Sequence, residues 1–319
     1  MPTPVHLGVD GGGTKTTLVL LSAPTGEVLA RHTTSGCNPS ACGPAEAAVR
    51  LRTALTDLLA AAKLADICVE RTLLCMAGSP LFWTETAAAL AAENSWGDVR
   101  TTDDARPVLQ LSAPAATSGL VLHGGTGSFV TALVPTSDAV ADIGRPDPFR
   151  PGWSTVYAGG LGWRFGDPGS GYDLGRRALG RALLELQGAA PRTALATWLE
   201  QRFPHQSVFA LTRHFYTCEE PNAVLAACAP SILDLAQSGD PTARQVVADS
   251  TGELLDRATA LASRLFPAPP LTALTATLSG PILTHPVVRE LLAGRSPLPL
   301  TPLAAAPIAG VSALLRAWI

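Results

Sequence analysis

Two short glycine-rich stretches contain the residues best suited to bind phosphate. The first, GVDGGGTKTTLVL (residues 8–20), places three glycines and Thr-Lys-Thr between two apolar runs. Consecutive glycines can turn several backbone N–H groups toward one anion. A P-loop needs a lysine directly after its last glycine and then a helix, whereas here Thr14 intervenes and strand-like TTLVLL follows. We therefore predict a phosphate-binding β-hairpin turn to which Lys15 adds positive charge.

The second stretch is HGGTGS, whose turn residues Gly124–Ser128 lie between the predicted strands Ser118–Leu122 and Phe129–Val134. It offers the same groups as the first, namely backbone N–H donors and two hydroxyls. One such turn alone is a weak signal. Two of them, each at the start of one half of the chain, together predict the binding of a triphosphate.

Carboxylates at the ends of predicted strands are candidates for acid–base chemistry. Asp103 and Asp104 close the strand Val99–Thr102, where a general base for phosphoryl transfer would accept the proton of an attacking hydroxyl. The alternative role is structural, because aspartate is a good helix N-cap and a helix is predicted from Ala105. Asp10, at the end of the first strand, is a candidate for holding Mg²⁺ through water.

Three further polar residues lie in turns that could receive a polar ligand. Asp167 belongs to GGLGWRFGDPGSGYDLG (residues 159–175), a glycine-dense loop with three aromatic residues that could approach a sugar closely. Asn38, in GCNPS, either forms an Asx turn or donates to a ligand. Ser79, in AGSP, ends a strand, and ligands of doubly wound sheets bind at the carboxyl ends of strands.

The elements that would position these residues predict an α/β fold. The first half is predicted as strands Val5–Asp10, Thr16–Leu21, Glu27–Thr33, Arg71–Ala77 and Val99–Thr102, with helices Pro44–Lys63 and Thr84–Ala92. The pattern restarts at Ser118. A loop-like, proline-rich stretch, Pro135–Pro151, then leads to helices Arg176–Gln187 and Arg192–Arg202, a long helical region Ala223–Leu265, a last strand Leu271–Leu278, and helices Pro286–Leu292 and Ala305–Trp318.

Composition limits the function classes. A chain of 319 residues suits two domains, and a net charge of −3 argues against nucleic acid as the main partner. No uninterrupted run of about 20 apolar residues indicates a membrane span, and the first residues lack the pattern of a signal peptide. The six cysteines show no Cys-x-x-Cys spacing and no accompanying histidine cluster, which argues against zinc.

Together, the motifs resemble a known family. GVDGGGTKT, HGGTGS, GGLGWRFGDPGSGYDLGRRAL, APSILDLAQSGDPTARQVV and LSGP, in this order, are similar to the N-acetylglucosamine kinase branch of the actin-like sugar-kinase/Hsp70 superfamily. That branch is grouped with the ATPase activators of benzoyl-CoA reductase and 2-hydroxyacyl-CoA dehydratases. The resemblance implies two actin-like (ribonuclease H-like) lobes with ATP and sugar in the cleft between them. The first lobe would be residues 1–115, completed by the C-terminal helix 305–319, and the second residues 116–304.

The resemblance also assigns roles residue by residue. ATP and phosphate would be bound by Gly11, Gly12, Gly13, Thr14 and Lys15 in the first turn, by Gly125, Thr126, Gly127 and Ser128 in the second, and by Gly280 in the adenosine motif, with Asp10 near Mg²⁺. Sugar contacts would come from Asn38, Gly78, Ser79, Thr126, Gly162 and Asp167. The catalytic base corresponds to the Asp103-Asp104 pair. Asp104, followed by Ala105, fits the family's Asn-Asp-Ala pattern best, but another register selects Asp103, so the choice stays open.

The implied activity is transfer of phosphate from ATP, with Mg²⁺, to a small-molecule amino sugar. The most favoured acceptor is N-acetylglucosamine, which would be converted to its 6-phosphate. The expected protein is a cytoplasmic homodimer with no nucleic-acid or membrane partner. Two departures bear on the substrate, because Leu161 replaces the tryptophan of GGWG and Pro168 the glutamate of GDEGS. Glucosamine or another hexose therefore stays open. So do an ATPase activator with a shared [4Fe–4S] cluster, although no cysteine lies between Cys75 and Cys218, and a non-catalytic sugar sensor.

Overall fold

The computed structural model describes residues 1–113, 117–137, 140, 142–205, 207–266 and 270–318. The chain divides into two compact units. Unit 1 comprises Met1–Thr117, Pro146–Trp153 and Ala304–Ile319, and unit 2 comprises Ser118–Arg145 and Ser154–Leu303. The expected second lobe, residues 116–304, included the segment Pro146–Trp153, which the structure groups with unit 1. The expected boundary at residues 115 and 116 lies outside the described residues.

Unit 1 is built on a five-stranded sheet in the order β3-β2-β1-β4-β5. Its elements are β1 (Thr3–Gly11), β2 (Lys15–Ser22), β3 (Val28–Ser35), α1 (Pro39–Cys42), α2 (Pro44–Ala61), β4 (Ile67–Met76), α3 (Pro80–Ala92), β5 (Asp98–Asp103) and α4 (Ala105–Ser112). The first three strands form an antiparallel meander, and β4 and β5 run parallel to β1. The predicted order β-β-β-α-β-α-β is confirmed apart from the short α1.

Unit 2 is built on a six-stranded sheet in the order β11-β10-β6-β7-β9-β8. Its strands are β6 (Gly119–Gly124), β7 (Ser128–Pro135), β8 (Gly144–Pro146), β9 (Trp153–Gly159), β10 (Ala276–Ser279) and β11 (Leu300–Pro302). Its helices are α5 (Gly171–Leu186), α6 (Ala194–Arg202), α7 (Val208–Thr217), α8 (Pro221–Ala226), α9 (Ala229–Gln237), α10 (Pro241–Leu265), α11 (Gly280–Leu283) and α12 (Pro286–Ala293). As in unit 1, the first strand of a hairpin pairs in parallel with a later strand, here β6 with β10. This similarity explains why the sequence pattern restarts.

The helical region predicted at Ala223–Leu265 is confirmed; it consists of separate helices, since Gly239, at a φ of 93°, turns the chain before α10 begins. Two other predictions are wrong. The stretch Pro135–Pro151, predicted to be loop-like, contains the strand β8. The strand predicted at Leu271–Leu278 begins only at Ala276, after a 3₁₀ turn, and it is not the last one, because β11 follows it. Strands of three residues are too short to show a hydrophobic period.

Helices pack on both faces of the unit 1 sheet. The helical spacing of Leu51 and Leu55 puts both side chains on one face of α2, where they are fully buried. The opposite face is covered by α13 (Pro307–Ala317), whose Val311 joins the cluster that contains Val19. A Cβ atom at Gly8 of β1 would lie 2.6 Å from Val311, so the close contact of α13 with the sheet requires glycine there. The strands that carry the candidate site are therefore supported from both sides.

Candidate active site

The carboxyl ends of three parallel strands in unit 1 are level with one another. Gly11 of β1 pairs with Met76 of β4, and Met76 pairs with Asp103 of β5. Neighbouring strands are about 4.8 Å apart, so the residues at these ends can reach one ligand. The negative charge of Asp10 contributes to raising the pKa of the Asp104 carboxyl, which reflects their proximity. The strand-end carboxylates selected from the sequence are thus neighbours in the fold.

Asp103 and Asp104 have different roles in the local structure. The Asp103 carboxylate accepts a hydrogen bond from the backbone N–H of Arg106, 3.0 Å away, and so caps the first turn of α4. Asp104 occupies the position just before the helix, but its side chain makes no capping hydrogen bond within the part of the chain that the structure describes. The structural alternative therefore applies to Asp103, and Asp104 is available for chemistry.

The environment of Asp104 favours its protonated form. Desolvation, together with the negative charges of Asp103 and Asp10, raises the pKa of the Asp104 carboxyl to about 7. Desolvation also raises the pKa of Asp10 to about 6, against the opposing positive charge of Lys15. A carboxylate with a pKa near neutrality is well matched to accept a proton from a hydroxyl at physiological pH.

These pKa values predict how stability depends on pH when Mg²⁺ and ATP are absent. An ordinary aspartate ionises near pH 4, so between pH 4 and 7 the unfolded chain loses a proton that native Asp104 retains, and stability falls as pH rises. Asp104→Asn should remove this cost. Because one pKa unit corresponds to about 1.4 kcal/mol, its Tm at pH 8 should exceed that of the wild type by roughly 3 °C or more. Thermal melts at pH 5 and 8 check this, with a substitution of an exposed residue, Asp66→Asn, as the control. An equal change of Tm between the two pH values in the wild type, Asp104→Asn and Asp66→Asn would contradict the prediction.

The carboxyl cluster fits a hydrated Mg²⁺ ion. No group of three or more potential metal ligands (histidine, cysteine, aspartate or glutamate) is arranged to hold a metal ion directly among the described residues. Mg²⁺ usually keeps several waters and binds through one or two carboxylates together with substrate phosphates. Desolvation raises the pKa values of Asp10 and Asp104, and the negative charges of Asp103 and Asp10 add to the rise at Asp104; a bound cation would favour the ionised form of both carboxyls. Asp10 would hold such an ion.

The first glycine turn is closed by backbone hydrogen bonds. The N–H of Gly12 donates to the carbonyl of Lys15, 2.9 Å away, and the N–H of Gly36 donates to the carbonyl of Thr14, also 2.9 Å away. A Cβ atom at Gly36 would overlap the carbonyl of Gly13 and lie 2.8 Å from the nitrogen of Thr14. Gly36, which the sequence interpretation did not select, therefore supports the turn from the end of β3.

Replacing Gly36 by alanine should distort this turn. The added Cβ has no room against the Gly13 backbone, so we expect Tm to fall by several degrees and the KM for ATP to rise about tenfold or more. Gly13→Ala is the matched control for folding, since a Cβ there meets no described atom within 4 Å, and its Tm should equal that of the wild type. A Gly36→Ala protein with wild-type Tm and KM for ATP would refute this role.

Asn38, Gly78 and Ser79 also come together in unit 1. Gly78, at a φ of 99°, leaves room for the Asn38 side-chain oxygen, which a Cβ atom at residue 78 would overlap. That oxygen accepts a hydrogen bond from the N–H of Ser40, 2.9 Å away, so the predicted Asx turn is present. The Ser79 hydroxyl accepts from the N–H of Phe82, 3.4 Å away, at the start of α3. Each polar residue thus has a structural role, and the Asn38 amide group can still donate to a ligand.

In unit 2, the second glycine turn is joined to the loop that carries Asp167. The N–H of Gly125 donates to the carbonyl of Gly127, 2.9 Å away, and the carbonyl of Gly125 accepts from the N–H of Gly171, 2.8 Å away. The hydroxyl of buried Ser128 donates to the carbonyl of Pro168, 2.7 Å away. Thr126 is exposed at the tip. The predicted phosphate turn and the predicted sugar loop are therefore one bonded assembly.

Pro168 has a structural explanation. The N–H of Ser170 donates to the carbonyl of Asp167, 3.0 Å away, so residues 167–170 form a β-turn. Proline suits the second position of a type II turn, and Gly169, with a φ of 80°, suits the third. A hydrogen bond also holds Gly169 in place, because its N–H donates to the Ser250 hydroxyl of α10, 2.9 Å away. The proline thus stiffens the turn next to Asp167.

Asp167 is almost completely buried, with 5% of its surface exposed, yet its Oδ1 atom has no hydrogen-bond partner among the described residues. Its other oxygen would lie 3.4 Å from a Cβ atom at Gly127 of the second turn. Burial raises the pKa of this carboxyl, although the Gly162 backbone and the charge of Arg257 oppose the rise. A buried acceptor without a partner is costly, so this atom indicates a ligand that donates a hydrogen bond.

His123 links the second turn to the adenosine motif, and the sequence interpretation did not select it. Its Nδ1 atom lies 3.2 Å from the Ser279 hydroxyl, and its ring stacks on Phe129 at 4.8 Å. Desolvation lowers the pKa of this histidine to about 4, so it is neutral at physiological pH. Gly280, at a φ of 84°, packs so closely that a Cβ atom would overlap the Gly124 carbonyl. The two predicted ATP motifs of unit 2 are thus in direct contact.

The glycine-dense loop before Asp167 exposes several apolar side chains. Leu161 and Phe165 are 68% and 77% exposed, and Trp163 packs against Tyr172 with ring centroids 5.6 Å apart. Gly162 has a φ of 88°, and a Cβ atom there would meet no described atom within 4 Å. The loop therefore presents an exposed apolar surface next to Asp167.

Comparison with known proteins supports the fold. Residues 150–293, less than half of the chain, match the BadF/BadG/BcrA/BcrD ATPase family. Two crystal structures, each described as that of a "putative N-acetylglucosamine kinase", share the fold: that from Chromobacterium violaceum has a TM-score of 0.72 at 22% identity, covering 98% of both chains. The Porphyromonas gingivalis protein has the same score and identity over 97% of this chain and 98% of its own. The chain therefore shares the actin-like α/β fold of these two structures.

Proteins of different description share this fold. A ROK family transcriptional regulator, a homolog of E. coli MLC protein, shares the actin-like fold with a TM-score of 0.54 at 14% identity, over 99% of this chain and 79% of its own. No curated protein matches the sequence. None of the described helices is both long enough and apolar enough to span a membrane. The comparisons therefore show the actin-like α/β fold and, for residues 150–293, similarity to an ATPase family.

Proposed function

We propose that the protein transfers the γ-phosphate of ATP to a hydroxyl group of an amino sugar, with the 6-hydroxyl of N-acetylglucosamine as the first acceptor to test. The observation that carries the proposal is Asp104. It lies at the carboxyl end of β5, it is not used as a helix cap, and its pKa is raised to about 7. Asp104 would act as the general base, and Asp103 would hold α4 in place.

The proton transfer follows from the position of this carboxylate. The sugar hydroxyl attacks the γ-phosphorus in line, its proton passes to a carboxylate oxygen of Asp104, and the bond from phosphorus to the bridging oxygen of ADP breaks. Backbone N–H groups of the first glycine turn, which belongs to the same unit as Asp104, would stabilise the charge on the transferred group. Mg²⁺, held through Asp10, would neutralise part of the phosphate charge.

Asp167 of unit 2 and the Asn38 and Ser79 cluster of unit 1 are, each within its own unit, candidates for contacts with a sugar. The unpartnered Oδ1 of Asp167 can accept a hydrogen bond from a sugar hydroxyl, and a carboxylate with two free lone-pair directions can accept from two neighbouring hydroxyls. Leu161 and the Pro168 turn lie in the loop that would contact the substituent of the sugar and so select among sugars. Glucosamine and other hexoses are therefore included as alternative acceptors.

The direct test is an assay of ADP release with Mg²⁺ and ATP against N-acetylglucosamine, N-acetylmannosamine, glucosamine, glucose and mannose. We expect turnover with at least one amino sugar and loss of that turnover in Asp104→Asn. ADP release without any acceptor would favour an ATPase instead. Sugar binding by calorimetry without turnover would favour a sensor, and the kinase proposal would be withdrawn in either case.

A further inference from the structure

The segment Pro146–Trp153, here named the strap, follows β8 and enters β9 of unit 2 but packs as part of unit 1. It is a closed loop, because the N–H of Asp147 donates to the carbonyl of Trp153, 2.9 Å away. The N–H of Trp153 in turn donates to the carbonyl of Arg150, 3.0 Å away. The strap makes up most of the second half of the stretch predicted to be loop-like. The contacts between the strap and α4 indicate a role for that stretch.

A buried ion pair joins the strap to α4. The Nε atom of Arg106 lies 2.9 and 3.0 Å from the two carboxylate oxygens of Asp147, and the two side chains are 2% and 0% exposed. Asp147 also accepts from the N–H of Phe149, 3.1 Å away, and Arg106 donates to Gln110, 3.1 Å away. Removing one partner would leave the other charge buried without compensation, so the pair fixes both residues firmly.

The strap holds the other end of α4 as well. The guanidinium group of Arg150 donates to the carbonyls of Ala113, 3.1 Å away, and Thr117, 3.2 Å away, just beyond the last turn of the helix. Phe149 packs edge-on against Trp318, with ring centroids 6.2 Å apart. The strap therefore contacts α4 at its first turn and the chain that follows its last turn.

The candidate general base lies directly before α4. Asp104 directly precedes the helix, and Arg106, which binds Asp147 through its side chain, binds Asp103 through its backbone N–H. We propose that Asp147 is a positioning residue: through Arg106 it fixes the first turn of α4 and thereby the direction of the Asp104 carboxylate. This inference rests on the proposed function, in which Asp104 accepts the proton.

The kinetic test uses Asp147→Asn, which keeps the shape of the side chain and removes its charge. We expect kcat to fall about 10- to 100-fold while the KM values for sugar and ATP stay within about threefold, because only the reacting group is displaced. Leu55→Ala, a buried change in α2 of the same unit, is the control for lost stability. If Leu55→Ala lowers Tm equally and kcat equally, the effect of Asp147 is only structural and the proposal is overturned.

A double variant separates the ion pair from mere packing. Arg106→Met with Asp147→Leu replaces the pair by apolar side chains, which commonly preserves stability. If the charges position Asp104, this protein should regain the wild-type Tm but keep a kcat at least about tenfold below that of the wild type. Recovery of both Tm and kcat would overturn the proposal.

Hydrogen exchange gives a readout that does not depend on activity. In Asp147→Asn, the amides of residues 108–112 in α4 should lose protection at least about tenfold, while those of α2 should not change. Unchanged protection in α4 would overturn the positioning role even if kcat falls. If the wild type phosphorylates no acceptor, the proposed function fails and the catalytic part of this inference fails with it. The exchange result then decides separately whether the strap holds α4.

Discussion

Asp104→Asn should lower kcat by at least about 100-fold, with the KM values for sugar and ATP nearly unchanged. Asparagine has the same shape but cannot accept the proton of the attacking hydroxyl, and general-base catalysis typically contributes about 10²- to 10⁴-fold. The raised pKa of Asp104 and its freedom from helix capping both support this choice of base. Steady-state kinetics with the best acceptor of the panel, and calorimetry of sugar binding, measure the two quantities separately.

Asp103→Asn is the matched control for this experiment. Asparagine caps helices about as well as aspartate, so the hydrogen bond from the Arg106 N–H can be retained. We expect kcat to stay within about tenfold of the wild type and Tm to change little. A protein that loses turnover through the Asp103 change and retains it through the Asp104 change would show that the base is Asp103.

Asp167→Ala should raise the KM for the sugar about 100-fold and leave the KM for ATP within about threefold. A hydrogen bond from a hydroxyl to a charged acceptor contributes about 1.5–3 kcal/mol, and this buried carboxylate can accept two. Its Oδ1 atom is among the few buried polar side-chain atoms in the described structure that have no partner. Competition experiments with the best sugar, together with direct binding measurements, check the effect.

Asp167→Asn refines the interpretation, because asparagine retains one oxygen acceptor and loses the charge. Its sugar KM should lie between those of the wild type and Asp167→Ala. If both variants bind sugar as tightly as the wild type, the unpartnered carboxylate has another role. If ATP binding weakens instead of sugar binding, Asp167 acts on the neighbouring phosphate turn.

Local sequence patterns predicted the elements of unit 1 and the ends of its strands. Leu51 and Leu55 repeat with the helical period, and the glycine turns mark the ends of strands, so each signal lies within a few residues. The fold class and the grouping of Asp10 with the Asp103-Asp104 pair follow from such signals. Parallel pairing then brings the strand ends together without further information.

Contacts between distant residues could not be predicted in this way. Asp147 forms its ion pair with Arg106, 41 residues earlier in the chain, and the sequence around each residue gives no sign of this pairing. Gly36 is required by the backbone of Gly13, which reaches it only once β2 and β3 pair. The choice between Asp103 and Asp104 depended on which carboxylate caps α4, a difference of one residue that helix propensity does not resolve.

The placement of α13 has a consequence for synthesis on the ribosome. Val19, Leu21 and Leu73 on one face of the unit 1 sheet are buried together with Val311 and Leu315, which are translated only after Ser154–Leu303. The nascent chain therefore carries one apolar face of this sheet without its covering helix until α13 has been synthesised.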